Sequence, residues 1–188
     1  TARMVVDGFA PLALLSCLKQ ALCGLDPDKV ALLETREILR GARPAPGLSG
    51  IRLALLAKQD ERLEREVTPL LETLERAAEP FKNLMAQPSA PFAALLKAHV
   101  ALAEKLADKG AEKGAQRLWK GEAGEVLANI VNEVYSFAGH VPDLSGDEYL
   151  SLMRGFLANK AVRVAKGPHP RISILGQIEA RLFQPDLV

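Results

Sequence analysis

Residues 51–85 read IRLALLAKQDERLEREVTPLLETLERAAEPFKNLM, and this stretch decides the fold class. Its apolar residues return at intervals of three, four and seven, at Leu56, Leu63, Val67, Leu70 and Leu74. That spacing places them on one face of an α-helix. The mixed charges of residues 58–62 indicate a solvent-exposed face. Thr68 can cap a helix and Pro69 can begin one, so the sequence predicts two helices here or one kinked helix.

Two shorter helices are predicted before this stretch. The first runs from Pro11 to a C-terminal cap at Gly24, and its apolar face consists of Leu12, Leu15, Leu18 and Leu22. The second begins at residues 26–27, because Asp is a favoured cap and Pro suits the first helical turn. Glycines and prolines in residues 41–50 predict a loop before the long helical pattern.

Further helices are predicted after it. Pro80 and Pro88 bound a short helix, and the next spans about residues 90–109. Its apolar stripe consists of Phe92, Leu95, Leu96, His99, Val100, Ala103 and Leu106. A helix ending near Ala138 carries the apolar set Val126, Leu127, Ile130, Val131, Val134 and Phe137. Ser145 and Glu148 form a capping box, which starts a helix that carries Tyr149, Leu152, Met153, Phe156 and Leu157.

The C-terminal stretch, GPHPRISILGQIEARLFQPDLV at residues 167–188, departs from the helical pattern. Residues 171–175 alternate and are rich in β-branched side chains, which predicts a short strand before Gly176 breaks the pattern. We expect this strand to pair with an apolar segment such as Met4–Val6, or to be poorly ordered. The opening on Thr1 agrees with a piece of a longer polypeptide. The predicted fold class is mainly α, with seven or eight helices and a small C-terminal β element.

Composition is typical of a soluble globular protein, with 48% apolar and 25% charged residues. The formal net charge of +1 excludes a basic footprint over the whole surface, although a local basic patch is compatible with it. Aromatic residues at 5% argue against a stacking platform for single strands. Apolar runs are too short for a membrane span. Cys17 and Cys23 read as reduced helix residues, so we expect a cytoplasmic protein.

Motifs that carry chemistry are missing from the sequence. It contains no GxxxxGK[ST], HExxH or GxSxG motif, and its three histidines are scattered at positions 99, 140 and 169. We therefore predict no catalytic residue and no metal site in this chain. His99 falls on an apolar helix face without a second ligand nearby, which predicts a hydrogen-bonded core histidine. Trp119 is predicted to anchor the core.

Residues 168–188 resemble the AddB subunit family of bacterial AddAB helicase–nucleases. The family pattern HPR-x-x-I-L-G-x-x-E-A-R-L is matched at His169, Pro170, Arg171, Ile174, Leu175, Gly176, Glu179, Ala180, Arg181 and Leu182. Residues 33–48 and the segments 99–104 and 118–124 are similar to the same family, in the same order. The resemblance thus covers most of the chain.

The resemblance implies part of a superfamily-1-like helicase subunit that processes double-strand breaks for recombination. Residues 1–166 would be a non-catalytic helical insertion of the second motor domain, and residues 167–188 its re-entry into the motor. The insertion would shape the DNA channel or contact an AddA-like partner subunit. The family's ATP, Mg²⁺ and iron–sulfur sites would lie outside this chain. No membrane contact is implied.

The resemblance also implies specific contacts. Glu179 would help to position nucleotide, although Gly176 and Gln177 stand where active relatives carry Lys and Ser. The basic residues to be tested against DNA are Arg40, Arg43, Arg163, Lys166 and Arg171.

An alternative interpretation is a free-standing helical module that binds a partner protein. It predicts an exposed apolar groove of roughly several hundred Å². The two interpretations also differ beyond Val188, where the AddB-like family continues into a strand with a Gly-Leu-Asn-Glu-Gly-like motif.

Overall fold

A computed structural model describes residues 1–35, 38–39, 44–158, 160 and 177–181. Nine α-helices precede residue 159: α1 (Ala2–Val6), α2 (Pro11–Leu18), α3 (Pro27–Thr35), α4 (Gly47–Leu56), α5 (Glu61–Met85), α6 (Phe92–Ala107), α7 (Gly114–Leu118), α8 (Gly121–Phe137) and α9 (Gly146–Ala158). A 3-10 turn, Ala138–His140, follows α8, and one helical turn, α10 (Gln177–Ala180), lies near the C-terminus. The described residues contain no β-strand.

The mainly helical fold class is confirmed, and the predicted pairing of Met4–Val6 as a strand is wrong. This segment belongs to α1, where the Asp7 amide donates to the carbonyl of Arg3 at 2.9 Å. A helix satisfies its backbone groups internally and leaves none for a strand ladder. Residues 171–175, the predicted strand, lie outside the described residues. The short helices α1 and α7 raise the number of helices above the predicted seven or eight.

The centre of the fold is α5, and it is one helix rather than two. It continues through Pro69 and Pro80, so Thr68 is not a cap, and the short helix predicted between Pro80 and Pro88 is the end of α5. Asp60 caps it instead, because its carboxylate accepts a hydrogen bond from the Leu63 amide at 3.0 Å. The buried side chains of α5 are Leu63, Val67, Leu70, Leu71, Leu74, Ala78 and Phe81. Helices α1, α3, α4 and α6 pack against it.

The helical pattern is interrupted before α5, at a place the sequence did not indicate. Helix α4 begins at Gly47, inside the predicted loop, and ends at Leu56. Leu56 is 52% exposed rather than part of the buried stripe. Gln59 takes a left-handed backbone conformation with φ of 51°, which turns the chain into α5.

Helix α2 ends earlier than predicted, at Leu18, so Gly24 is not its cap. The Gly24 amide donates instead to the carbonyl of Leu106 at 2.8 Å, on α6. A Cβ at position 24 would lie 1.8 Å from the Asp108 carbonyl oxygen. Glycine is therefore needed here for close backbone packing between distant parts of the chain.

Two predicted helix starts are confirmed by their hydrogen bonds. Asp26 accepts from the Asp28 amide at 3.0 Å before α3. Before α9, the amide of Ser145 donates to the Glu148 carboxylate at 2.8 Å, and the Ser145 hydroxyl donates to it at 2.7 Å. These bonds hold the pKa of Glu148 below its usual range. Both starts depend on neighbours within three residues, which is why the sequence predicts them.

The predicted apolar faces of the last helices are only partly buried. On α8, Ile130 and Val134 are buried, but Val126 is 37% and Phe137 is 61% exposed. On α9, Leu157 is 42% exposed. The helical period of these apolar residues was predicted, but the sequence did not predict which of them are covered.

A second close backbone approach joins α7 to the end of α6. A Cβ at Gly114 would lie 1.7 Å from the carbonyl oxygen of Glu104. The Gly114 amide also donates to the Asp108 carboxylate at 2.7 Å. The backbone of Gly24 and of Gly114 therefore packs closely against residues 104–108, at the C-terminal end of α6 and its cap. These contacts hold two distant chain segments against the end of α6.

We predict that Gly114→Ala destabilises the protein by about 3 kcal/mol, because the new methyl group meets backbone and forces the two helices apart. Gly139→Ala is the matched control, since nothing lies within 4 Å of its added Cβ. That control should change the free energy of unfolding by less than about 0.5 kcal/mol. Urea denaturation followed by circular dichroism measures both, and equal stabilities would contradict the packing described.

Candidate functional site

Side chains from α1, α2, α6, α7, α8 and α9 line an apolar groove of about 1380 Å³. Helix α2 and the residues after it contribute one large part of the lining, including Leu12, Cys17 and Leu22. Helix α9 contributes Met153 and Leu157. This set of residues is called the apolar groove below.

The groove exists because α2 is apolar on more than one face. Its sequence, PLALLSCL, includes a single hydroxyl residue, Ser16, and no charge. Leu14 and Leu18 are buried in the core, whereas Leu12 is 82% exposed and lines the groove. Leu12 and Leu22 were predicted on a buried stripe, and the structure shows both at the surface. A short helix with leucines all round is the signal in the sequence that could have indicated this second face.

Helices α6 and α8 supply further lining with side chains that are half-buried. Val100 and Ala103 come from the predicted stripe of α6, and Leu127 and Val131 come from α8. These residues are apolar and face a space that other side chains do not fill. The predicted stripe therefore serves the core at Leu95 and Leu96 and the groove further along.

Charged side chains at the groove are few. Arg3 and Asp7 form an ion pair with each other at 2.6 Å. Arg154 on α9 also lines the groove, is exposed, and has no ion-pair partner within the part of the chain that the structure describes. The groove thus presents an apolar lining, one internally compensated pair, the uncompensated positive side chain of Arg154 and, at Thr1, the positive N-terminus.

Trp119 lies at the groove rather than at the centre of the core. Its ring is half-buried and its indole Nε1 donates to the Glu104 carboxylate at 2.7 Å. A tryptophan with a satisfied N–H and one open face is suited to a surface that receives a partner. It is the only tryptophan in the sequence, so its fluorescence reports on the groove.

His99 is the one histidine that contacts both the core and the groove among the described residues. Its Nδ1 lies 2.9 Å from the Tyr149 hydroxyl, and its Nε2 lies 2.7 Å from the Thr1 hydroxyl. The ring stacks on Phe81 with a centroid distance of 5.1 Å. The prediction of a hydrogen-bonded core histidine is confirmed.

Burial lowers the pKa of His99 to about 4, and the positive N-terminus acts in the same direction. Burial also raises the pKa of Tyr149. Both rings are therefore neutral at physiological pH, and their hydrogen bonds have a structural role that joins α6, α9 and the start of α1.

The two cysteines, Cys17 and Cys23, are free and half-buried beside the groove. Burial raises the pKa of the Cys23 thiol, which lowers the share of reactive thiolate at neutral pH. Cys17 lies in α2, as predicted for a helix residue, whereas Cys23 follows α2 rather than belonging to it.

Most of the residues that the AddB-like resemblance singles out lie outside the described residues. The five basic candidates for DNA contact, Arg40, Arg43, Arg163, Lys166 and Arg171, lie outside the described residues, as do His169, Pro170 and Gly176. Glu179 belongs to α10, and Arg181 directly after it is exposed. These predicted contacts therefore stay predictions.

Two further structural findings concern the described residues. They contain no group of three or more His, Cys, Asp or Glu side chains placed to hold a metal ion. None of their helices has the length and apolar character that a membrane crossing requires.

Comparison with known proteins returns no match for this chain among family models, curated proteins or solved structures.

We predict that His99 makes the protein less stable below neutral pH. The unfolded chain binds a proton near pH 6.5 and the folded protein only near 4, so stability is complete above 6.5 and falls as the pH drops towards 4. The loss is on the order of 3 kcal/mol. His99→Gln keeps a hydrogen-bonding side chain without this titration, so its stability should fall less over that interval.

The measurement is the free energy of unfolding from urea titrations at several pH values. His140→Gln is the control, because His140 is exposed on the 3-10 turn, and it should keep the slope of the unaltered protein. Carboxylates titrate in all three proteins, so only the difference in slope is informative. Parallel profiles for the unaltered protein and His99→Gln would contradict this role of His99.

Proposed function

We propose that this chain is a non-catalytic helical part of an AddB-like helicase–nuclease subunit, acting in double-strand break repair and recombination. The observation that carries the proposal is the run of family-pattern residues from His169 to Leu182, together with the segments at 33–48, 99–104 and 118–124 in the same order. A mainly helical fold over residues 1–158 is compatible with an insertion in a motor domain, at the level of fold class alone.

In this proposal, the chain guides DNA and contacts an AddA-like subunit in the cytoplasm. Arg40 and Arg43 flank a glycine-containing segment, where backbone N–H groups and guanidinium groups together suit phosphate. Arg163, Lys166 and Arg171 are a second set of positive charges close in sequence. Phosphate contacts of this kind position a protein on DNA without reading sequence.

The nucleotide role proposed for Glu179 depends on the parent motor. Glu179 lies in the helical turn α10, directly after Gly176-Gln177-Ile178. ATP and Mg²⁺ would be bound by motor-domain residues beyond this chain, and the iron–sulfur cluster and nuclease would likewise be elsewhere in the parent protein. The helical part would transmit or support that activity.

A second candidate function is a helical module that binds a partner protein. The apolar groove of about 1380 Å³, with Leu12 82% exposed at its lining, favours it. Contiguous apolar surface of this kind marks interaction sites in soluble proteins. The two candidates share a contact role and differ in whether DNA is bound.

We expect the 188-residue chain to bind a blunt-ended DNA duplex weakly, at micromolar Kd or above, with log K falling linearly against log salt. The double variant Arg40→Glu and Arg43→Glu should weaken binding and reduce the salt slope by about 1 for each phosphate contact removed. Fluorescence anisotropy of an end-labelled duplex over a salt series measures both quantities.

The matched control is Arg62→Glu with Arg65→Glu, which makes the same change in charge on exposed positions of α5. Its salt slope should stay close to that of the unaltered chain. Loss of slope in both double variants would point to net charge alone and contradict the proposed contacts. No binding at low salt would leave the partner-binding module as the better candidate.

A further inference from the structure

We propose that the apolar groove binds an amphipathic α-helix of a partner protein, whose apolar face contacts Leu12 and Leu157 and whose flank carries an acidic side chain opposite Arg154. The inference rests on the partner-contact part of the proposed function, and it adds the chemistry of that partner. Four features lead to this occupant: the size of the groove, its exposed leucines, its charge and the lack of a strand edge among the described residues.

The volume of the groove favours a helix over a small molecule as its occupant. Sites for small ligands usually measure about 300–1,000 Å³. The groove measures about 1380 Å³ and takes its lining from six helices, and this volume exceeds what one compact ligand fills. Apolar grooves between helices commonly receive an amphipathic helix, whose side chains at i, i+3, i+4 and i+7 form one continuous face.

Exposed leucines lie on two elements that line the groove. Leu12 on α2 is 82% exposed and Leu157 on α9 is 42% exposed. Covering these two side chains would remove apolar surface from water, which favours association with an apolar partner face. Leu53 on α4 is 64% exposed but does not line the groove, so it provides an internal comparison.

The charge at the groove favours partner helices with an acidic flank. Arg3 is compensated by Asp7 at 2.6 Å, and the Glu104 carboxylate near the groove accepts from Trp119. Arg154 is left without an ion-pair partner among the described residues, so the groove attracts an acidic flank and repels a basic one. Such a rim charge contributes chiefly to specificity and orientation.

Backbone geometry disfavours an extended peptide. Peptides that bind as strands need an exposed sheet edge, and the described residues contain no strand to provide one. An apolar surface made by helices instead matches the ridges of another helix.

The test uses the 188-residue chain and two synthetic peptides of about 18 residues. This length is chosen because isolated helices shorter than about 12–15 residues are only marginally stable in water. Both carry leucines at i, i+3, i+4 and i+7 on an alanine and glutamine background. One has a glutamate beside the leucine row and the other a lysine. Trp119 fluorescence and the anisotropy of the labelled peptide report binding. The glutamate peptide should bind roughly fivefold more tightly than the lysine peptide.

Two variants locate the binding. Leu12→Glu should weaken the glutamate peptide by at least tenfold, whereas Leu53→Glu, an equally drastic change on α4, should leave its Kd unchanged. Both positions are more than half exposed, and circular dichroism verifies that the variants fold. Arg154→Glu should reverse the preference, so that the lysine peptide binds more tightly. This reversal does not depend on the leucine variants.

Several outcomes would overturn the proposal. They are an absence of binding to either peptide, equal losses for Leu12→Glu and Leu53→Glu, or an unchanged preference in Arg154→Glu. A dimer seen by sedimentation that Leu12→Glu dissociates would assign the groove to a second copy of the chain and also overturn it. These assays contain no DNA, so their failure is separate from a failure of the DNA-binding experiment.

Discussion

Burial of one face of α5 is the constraint on which the rest of the structure depends. Six large side chains of this helix are buried, and each contributes roughly 1.5–3 kcal/mol of transfer free energy. Two prolines within it cost about 3 kcal/mol each relative to alanine. Because the burial of six large side chains outweighs the cost of two prolines, the helix continues through Pro69 and Pro80. Helices α1, α3, α4 and α6 then pack around one continuous element.

Sequence reasoning succeeded where structure is decided by near neighbours. The caps at Asp26 and Ser145 act over two or three residues, so the starts of α3 and α9 could be predicted. It failed where the deciding partner is distant in sequence. Gly24 resembles a helix cap, yet its amide bonds to Leu106 across the fold. The apolar period of α2 was readable, but whether Leu12 is covered depends on elements that the sequence of α2 cannot specify.

The candidate site follows the same division. His99 could be predicted as a hydrogen-bonded core residue because it sits in the stripe of a regular helix, and its bond to Tyr149 agrees. An exposed apolar groove was expected only under the partner-binding interpretation, and its position could not be predicted, since it arises where six separate helices leave space between them. The family resemblance depends mainly on residues 169–182, whereas the groove depends on residues before 158. The candidate residues for DNA contact and the residues that line the groove do not overlap, so the two experiments test different residues.

The hydrogen bond between Thr1 and His99 has a consequence for the order of assembly during synthesis. The first residues of this chain complete their contacts only with α6 and, through the Tyr149 hydroxyl, with α9. Ribosomes add about 5–20 residues per second, so some 150 residues take on the order of ten seconds. Over that interval Met4 and Val5 lack part of the surface that later buries them, so α1 is fully packed only after α9 has been made.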